Sequence, residues 1–184
     1  MKRIMLAIFA LIMGVMTMTS DADAMDKENL LYIDLKDGRV KIQMLPDHAP
    51  EHVKRIKELT RAGFYDGIVF HRVIDGFMAQ TGDPTGTGTG GSDKPDLKAE
   101  FNDLLHVRGA VSMARAGHPD SANSQFFIVL KDSNFLDNQY TAWGRVVDGM
   151  EFVDNIKKGA GARNGEVSKP DSMIKVQIAA DVKE

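Results

Sequence analysis

Residues 70–83, FHRVIDGFMAQTGD, gather side chains that could run a polar reaction in an apolar setting. Arg72 lies among Phe70, Val73 and Ile74. Phe77 and Met78 follow the Asp75-Gly76 turn, and Gln80 stands two residues beyond Met78. A guanidinium stays charged at any pH a protein tolerates and presents five N–H donors in a fixed fork. Next to two large apolar side chains and an amide, it could donate to charge that develops on a ligand held in the patch. The same residues also suit an ordinary strand with one arginine whose stem lies along apolar surface. On residue chemistry alone the two readings stand level.

Two other motifs lead elsewhere. His48, Glu51 and His52 match HxxEH, a zinc signature that needs both imidazoles on one face of a settled helix. Pro50 falls between the histidines and suits the first helical position, so His48 precedes the helix and cannot stack over His52. Two exposed histidines near a helix start are the plainer expectation. Residues 86–91, GTGTGG, match GxGxxG, but no helix start follows them to face a pyrophosphate, and no Walker lysine follows either. They are expected to form a flexible surface loop. There is no GxSxG elbow, and without cysteine there is no thiol chemistry, disulfide or Cys-ligated zinc. An oxidising compartment is therefore compatible with the chain.

The elements that must position these residues can be read coarsely. Residues 30–34 and 39–44 are strand-like runs around Lys36-Asp37-Gly38, a hairpin signal. Residues 50–62 predict a helix, with Pro50 and Glu51 in its first turn and Gly63 at its stop. Its apolar face is Val53, Ile56, Leu59 and Ala62, with Lys54, Arg55, Lys57, Glu58 and Arg61 opposite. Short apolar runs then recur at 68–74, 77–80, 109–114, 125–130 and 141–147, punctuated by Gly, Asn and Asp, as in an all-β sheet or barrel. A second helix is expected over 149–158 and a last strand over 172–179.

The 184 residues suffice for one domain with a sizeable core, and a net charge of −3 gives no global basic field for nucleic acid or an anionic membrane. At the N-terminus, Lys2 and Arg3 precede an apolar run over 4–18, and Ala22-Asp23-Ala24 offers a cleavage site before Met25. That run is short of the roughly 20 residues a membrane span needs. Residues 1–24 are thus expected to be a cleavable signal peptide and 25–184 the mature domain, with no membrane anchor after cleavage; an uncleaved signal anchor is the alternative. Removal takes two basic and two acidic residues and leaves the charge at −3.

Residues 70–83, the run VSMARAG at 111–117 with NSQFFI at 123–128, and FLD at 135–137 leading to WGRVV at 143–147 together resemble the signature blocks of cyclophilins, the peptidyl-prolyl cis-trans isomerases. The resemblance spans residues 30–180. It implies a mainly β fold, a closed eight-stranded antiparallel β-barrel capped by two α-helices. It implies a catalytic role for Arg72 and a proline-ring pocket from Phe77, Met78, Phe127 and Leu136. Gln80 and Gln125 match polar groups of the substrate groove, and Ala114, Arg115 and Ala116 match its lining. Phe135 stands where eukaryotic cyclophilins carry a pocket tryptophan, and Tyr140 where they carry a histidine; Arg115 replaces an asparagine, and the loop 117–123 is one residue longer. These departures look like bacterial cyclophilins and imply weak cyclosporin binding.

The implied enzyme needs no metal, cofactor or general acid–base pair, so activity should vary little with pH around neutrality. Its expected partners are proline-containing peptides and exported proteins that are folding; it is expected to be a monomer in the periplasm of a Gram-negative bacterium. A non-catalytic module using the same groove is the alternative, and an HxxEH metalloprotease a third. The presence of Arg72 together with Phe77, Met78, Gln80 and Phe127 favours the enzyme, because a pure binder could keep the pocket without the arginine.

Overall fold

The computed structural model describes residues 26–183. The expected signal peptide lies outside the described residues.

Eight strands form one antiparallel sheet: β1 (Leu30–Leu35), β2 (Gly38–Met44), β3 (Arg72–Ile74), β4 (Met78–Thr81), β5 (Ala110–Met113), β6 (Phe126–Val129), β7 (Ala142–Asp148) and β8 (Lys175–Ile178). Their spatial order is β3-β4-β6-β5-β7-β2-β1-β8. Lys36 and Asp37 form the tight turn of the β1–β2 hairpin, pairing Leu35 with Gly38. In both of these strands buried and less buried residues alternate, as period-two geometry requires when one face packs on a core.

The sheet curves but does not close into a barrel. Between β3 and β8 there is no ladder, only the irregular segments 67–73 and 165–173 joined by scattered main-chain bonds. Phe70 N donates to Asp171 O (2.9 Å), Met173 N to Ile68 O (2.9 Å) and Val167 N to His71 O (3.0 Å). The expected closure fails because β3 is three residues long and the run leading into β8 carries Gly159, Gly161, Gly165 and Pro170, which break strand geometry. Gly165 is a required break: at φ +80 it lies where a Cβ would come within 2.4 Å of Ile74 Cγ1.

Helix α1 (Pro50–Arg61) packs Val53, Ile56 and Leu59 into the main core with Leu31, Ile42, Phe126 and Trp143. Its N-cap, Ala49, has no side chain to satisfy the first amides. The Glu100 carboxylate does so from a distant loop, accepting from Glu51 N (3.1 Å) and His52 N (3.0 Å). Glu100 also lies 2.6 Å from His52 Nδ1. His52 is therefore fully buried rather than exposed. His48 turns instead toward Asp103, at 3.4 Å, so the two imidazoles of HxxEH address different carboxylates. Arg55 is buried as well, donating to Pro95 O (2.9 Å) and Asn123 O (3.4 Å), while Ala62 is exposed. The apolar stripe missed Arg55 because long-range carbonyls, not helix periodicity, decide where it goes.

Helix α2 is only Met150–Asp154, shorter than expected. The chain leaves it at Asn155 and runs to Gly159, whose amide bonds Val73 O beside β3 (2.9 Å). Among the described residues no helix is long and apolar enough to cross a membrane.

Candidate active site

Strand register builds the site. Arg72 on β3 pairs with Gln80 on β4, Gln80 with Phe127 on β6, and Phe127 with Ser112 on β5. One row beyond, Ile74 pairs with Met78 and Met78 with Val129. Directly paired residues share a face of the sheet, so both rows point the same way. The intervening row, Val73, Ala79, Ile128 and Val111, points into the main core. Met78, Phe127 and Val129 of these rows form a second cluster with Ala110 and Leu136. Ile74, Phe77, Ala114 and Tyr140 pack against it.

Arg72 is held on three sides. Its Nη1 donates to Gln80 Oε1 (3.0 Å), its Nε to Asn164 O (3.0 Å) and its Nη2 to Asn164 Oδ1 (3.0 Å). Burial pulls its pKa below the usual value, with the Tyr140 phenol acting in the opposite sense; the guanidinium remains charged. Gln80 Nε2 donates to Gln125 Oε1 (2.9 Å), and Gln125 Nε2 donates to Gly88 O (3.1 Å) and Gly90 O (2.8 Å). A continuous chain of amides therefore runs from Arg72 to the glycine-threonine loop.

That loop is organised rather than slack. The buried Asp83 carboxylate accepts from Thr85 N (2.7 Å), Thr85 Oγ1 (2.8 Å), Thr87 N (3.1 Å), Gly88 N (2.6 Å) and Gly90 N (3.2 Å). Burial pushes this carboxyl up, but the Thr85 hydroxyl and the amides of Thr85, Gly90 and Gly88 outweigh it and hold its pKa down at about 2. The loop forms one wall of a groove of about 490 Å³, and Gln80, Ala114, Arg115, Ala116 and Gln125 contribute to the rest.

Beside the groove, the 3₁₀ turn Asn134–Leu136 and the residues after it pack on the second apolar cluster. Leu136 is buried; Tyr140 meets Phe127 edge-on, with centroids 5.8 Å apart. Phe135 is 66% exposed and stays out of the buried cluster, touching it through Phe77 at 5.4 Å. The Arg115 guanidinium lies 4.6 Å over the Tyr140 ring and donates to Gln139 O (3.1 Å). Of the residues expected from the sequence, Gln80, Ala114, Arg115, Ala116 and Gln125 line the groove, Phe77, Met78, Phe127, Leu136 and Tyr140 form or flank the neighbouring apolar cluster, Phe135 stands exposed beside it, and Arg72 joins the two through Gln80.

The sequence also matches the family model described as "Cyclophilin type peptidyl-prolyl cis-trans isomerase/CLD" over residues 30–178. The chain belongs to the cyclophilin-type peptidyl-prolyl cis-trans isomerases. It is an isomerase by that membership. It is 53% identical over 173 residues to a probable peptidyl-prolyl cis-trans isomerase of Brucella suis, covering 88% of each chain. Among solved structures, cyclophilin AquaCyp293 from Hirschia baltica aligns with a TM-score of 0.77 at 28% identity, over 86% of this chain and 76% of that one. A Cryptosporidium parvum cyclophilin crystallised in the presence of the dipeptide Ala-Pro aligns at 0.74 and 29% identity, over 81% and 98%.

In this cyclophilin two site neighbours escaped the sequence reading. Asn164, 92 residues from Arg72, adopts a left-handed conformation (φ 51) that turns both its carbonyl and its side chain to the guanidinium. The Asn164-Gly165 step was the available signal, since asparagine tolerates that conformation and such pairs mark tight turns. His106, buried behind Phe127, carried no motif at all.

Proposed function

We propose that this cyclophilin accelerates rotation about Xaa-Pro bonds of exported proteins in the periplasm, with Arg72 as the catalytic donor. The observation that carries this reading is the fixed guanidinium in register with an apolar cup. Phe127 lies two strands from Arg72, about 10 Å at ordinary strand spacing. A proline ring resting on Met78, Phe127 and Leu136 would therefore bring its nitrogen between the cup and the arginine.

Rotation about an amide loses resonance worth roughly 18–20 kcal/mol, so uncatalysed Xaa-Pro exchange takes on the order of tens to hundreds of seconds. As the bond twists, the proline nitrogen becomes pyramidal and regains a lone pair. A donor aimed at that nitrogen stabilises the twisted state more than the planar one, which lowers the barrier. Three of the five guanidinium N–H groups serve Gln80 and Asn164. Two therefore remain for substrate, already oriented, with little reorganisation at the moment of twisting. Gln80 and Gln125 face the substrate backbone, and residues 114–116 flank the residues before proline. No covalent intermediate forms.

Lys2 and Arg3, the apolar run over 4–18 and Ala22-Asp23-Ala24 support export and cleavage before Met25. The test is twofold. The purified protein should accelerate cis–trans exchange of an Ala-Pro peptide followed by exchange spectroscopy, and the protein recovered from the periplasmic fraction should begin at Met25. No acceleration would end the catalytic reading. An intact N-terminus in the cytoplasmic fraction would end the export reading.

A further inference from the structure

His106 lies outside every sequence motif, yet it joins Phe127 to the turn that bears Leu136. Its residue is 1% exposed. Its ring stacks on Phe127, at 6.2 Å between centroids and 22° between planes. On one edge Nδ1 lies 2.9 Å from Asp137 Oδ1; on the other Nε2 lies 3.0 Å from Ser112 Oγ. Asp137, whose carboxyl is held below its usual pKa first by the His106 amide, can only accept, so Nδ1 carries the hydrogen of that bond.

The backbone of His106 makes the same connection. Its carbonyl accepts from Ser133 N (2.8 Å), and its amide donates to Asp137 Oδ1 (2.8 Å). Ser133 and Asp137 are the two caps of the 3₁₀ turn that carries Phe135 and Leu136. One residue therefore grips both ends of the turn while its ring backs the floor residue on β6. A three-residue turn has few bonds of its own, so contacts from outside it help set its distance from Phe127.

We propose that His106 is a positioning residue that sets the width of the proline cup, by clamping the turn bearing Leu136 to the ring of Phe127 through Asp137 and Ser112. The inference rests on the cup binding proline, as proposed above. A looser cup would hold the ring less well while Arg72, fixed from the other side by Gln80 and Asn164, kept its aim. Loss of the clamp should therefore appear in KM more than in kcat.

The experiment measures kcat and KM separately on an Ala-Pro peptide for wild type, His106→Leu, His106→Asn and Asp137→Ala. Leucine fills the site without either bond. Asparagine can still donate to Asp137. The partly exposed Asp137→Ala breaks the same clamp from the surface, should the buried variant fail to fold. Trp143, the single tryptophan, sits in the main core on the other face of the sheet, so its fluorescence reports folding independently. We expect KM to rise about fivefold to tenfold in His106→Leu and Asp137→Ala, about the loss of one net hydrogen bond, with kcat within about twofold. His106→Asn should recover part of that loss. The double variant, His106→Leu with Asp137→Ala, should be no worse than the poorer single one, as for residues that act together. The Phe127 and Leu136 resonances should shift while Trp143 does not. Wild-type KM in a folded Asp137→Ala protein, or effects that multiply in the double variant, would overturn the clamp. An inactive wild type would instead overturn the reading of the site, and the resonance shifts would still judge the clamp.

Discussion

Phe135 shows how a single side chain can leave the proposed chemistry intact and still alter recognition. It stands exposed, sets its ring against Phe77, and offers a ring with no polar hydrogen. Tryptophan at this position would add an indole N–H donor. We expect weak inhibition by cyclosporin and tighter inhibition of Phe135→Trp, measured as the inhibitor concentration that halves peptide exchange. Tight inhibition of the wild type that the substitution does not improve would contradict the role assigned to Phe135. Arg72 was legible as a candidate because its apolar neighbours lie within a few residues of it. Asn164 was not, because a contact across 92 residues depends on where a left-handed turn falls after folding.

At the scale of elements, alternation within β4 and β6 fixes the sidedness of the site: Met78, Gln80 and Phe127 outward, Ala79, Phe126 and Ile128 inward. That much follows from period two once the strands are known. The glycine-threonine loop does not, because its order comes from a buried carboxylate rather than from local propensity. Asp83→Asn replaces one acceptor oxygen with a donor and must strand some of the five bonds. We expect a loss of about 1–3 kcal/mol of unfolding free energy in urea. We also expect slower peptide exchange, because the loop carbonyls of Gly88 and Gly90 orient Gln125. Unchanged stability and turnover would contradict the carboxylate's role in ordering the loop. The open seam between β3 and β8 and the brevity of α2 were equally hidden: both follow from how residues 155–173 cross the sheet edge.

For the whole molecule, stability and proposed activity should respond differently to pH. Burial lowers the pKa of His52 and of His71, so the unfolded chain binds protons more readily at these sites. Stability should therefore be fully present above about pH 6.5, the ordinary histidine value, and decline as pH falls below it. Asp83 is depressed to about 2. Its contribution, about 2 kcal/mol by linkage, is present above about pH 4 and is lost as pH falls toward 2. Urea midpoints across pH 2–8 check both windows; a midpoint that rose on acidification from pH 7 to 5 would contradict the histidine assignment. Peptide exchange should stay nearly flat around neutrality, because Arg72 does not titrate there.

The chemistry proposed for this molecule turns on one guanidinium, that of Arg72. Exchange of an Ala-Pro peptide is measured for wild type and Arg72→Ala under conditions where both are folded by Trp143 fluorescence. Loss of a charged donor to the twisted nitrogen should lower kcat/KM by about 10²–10³, or roughly 3–4 kcal/mol, by analogy with deletion of an oxyanion donor. An Arg72→Ala protein as fast as the wild type would contradict it.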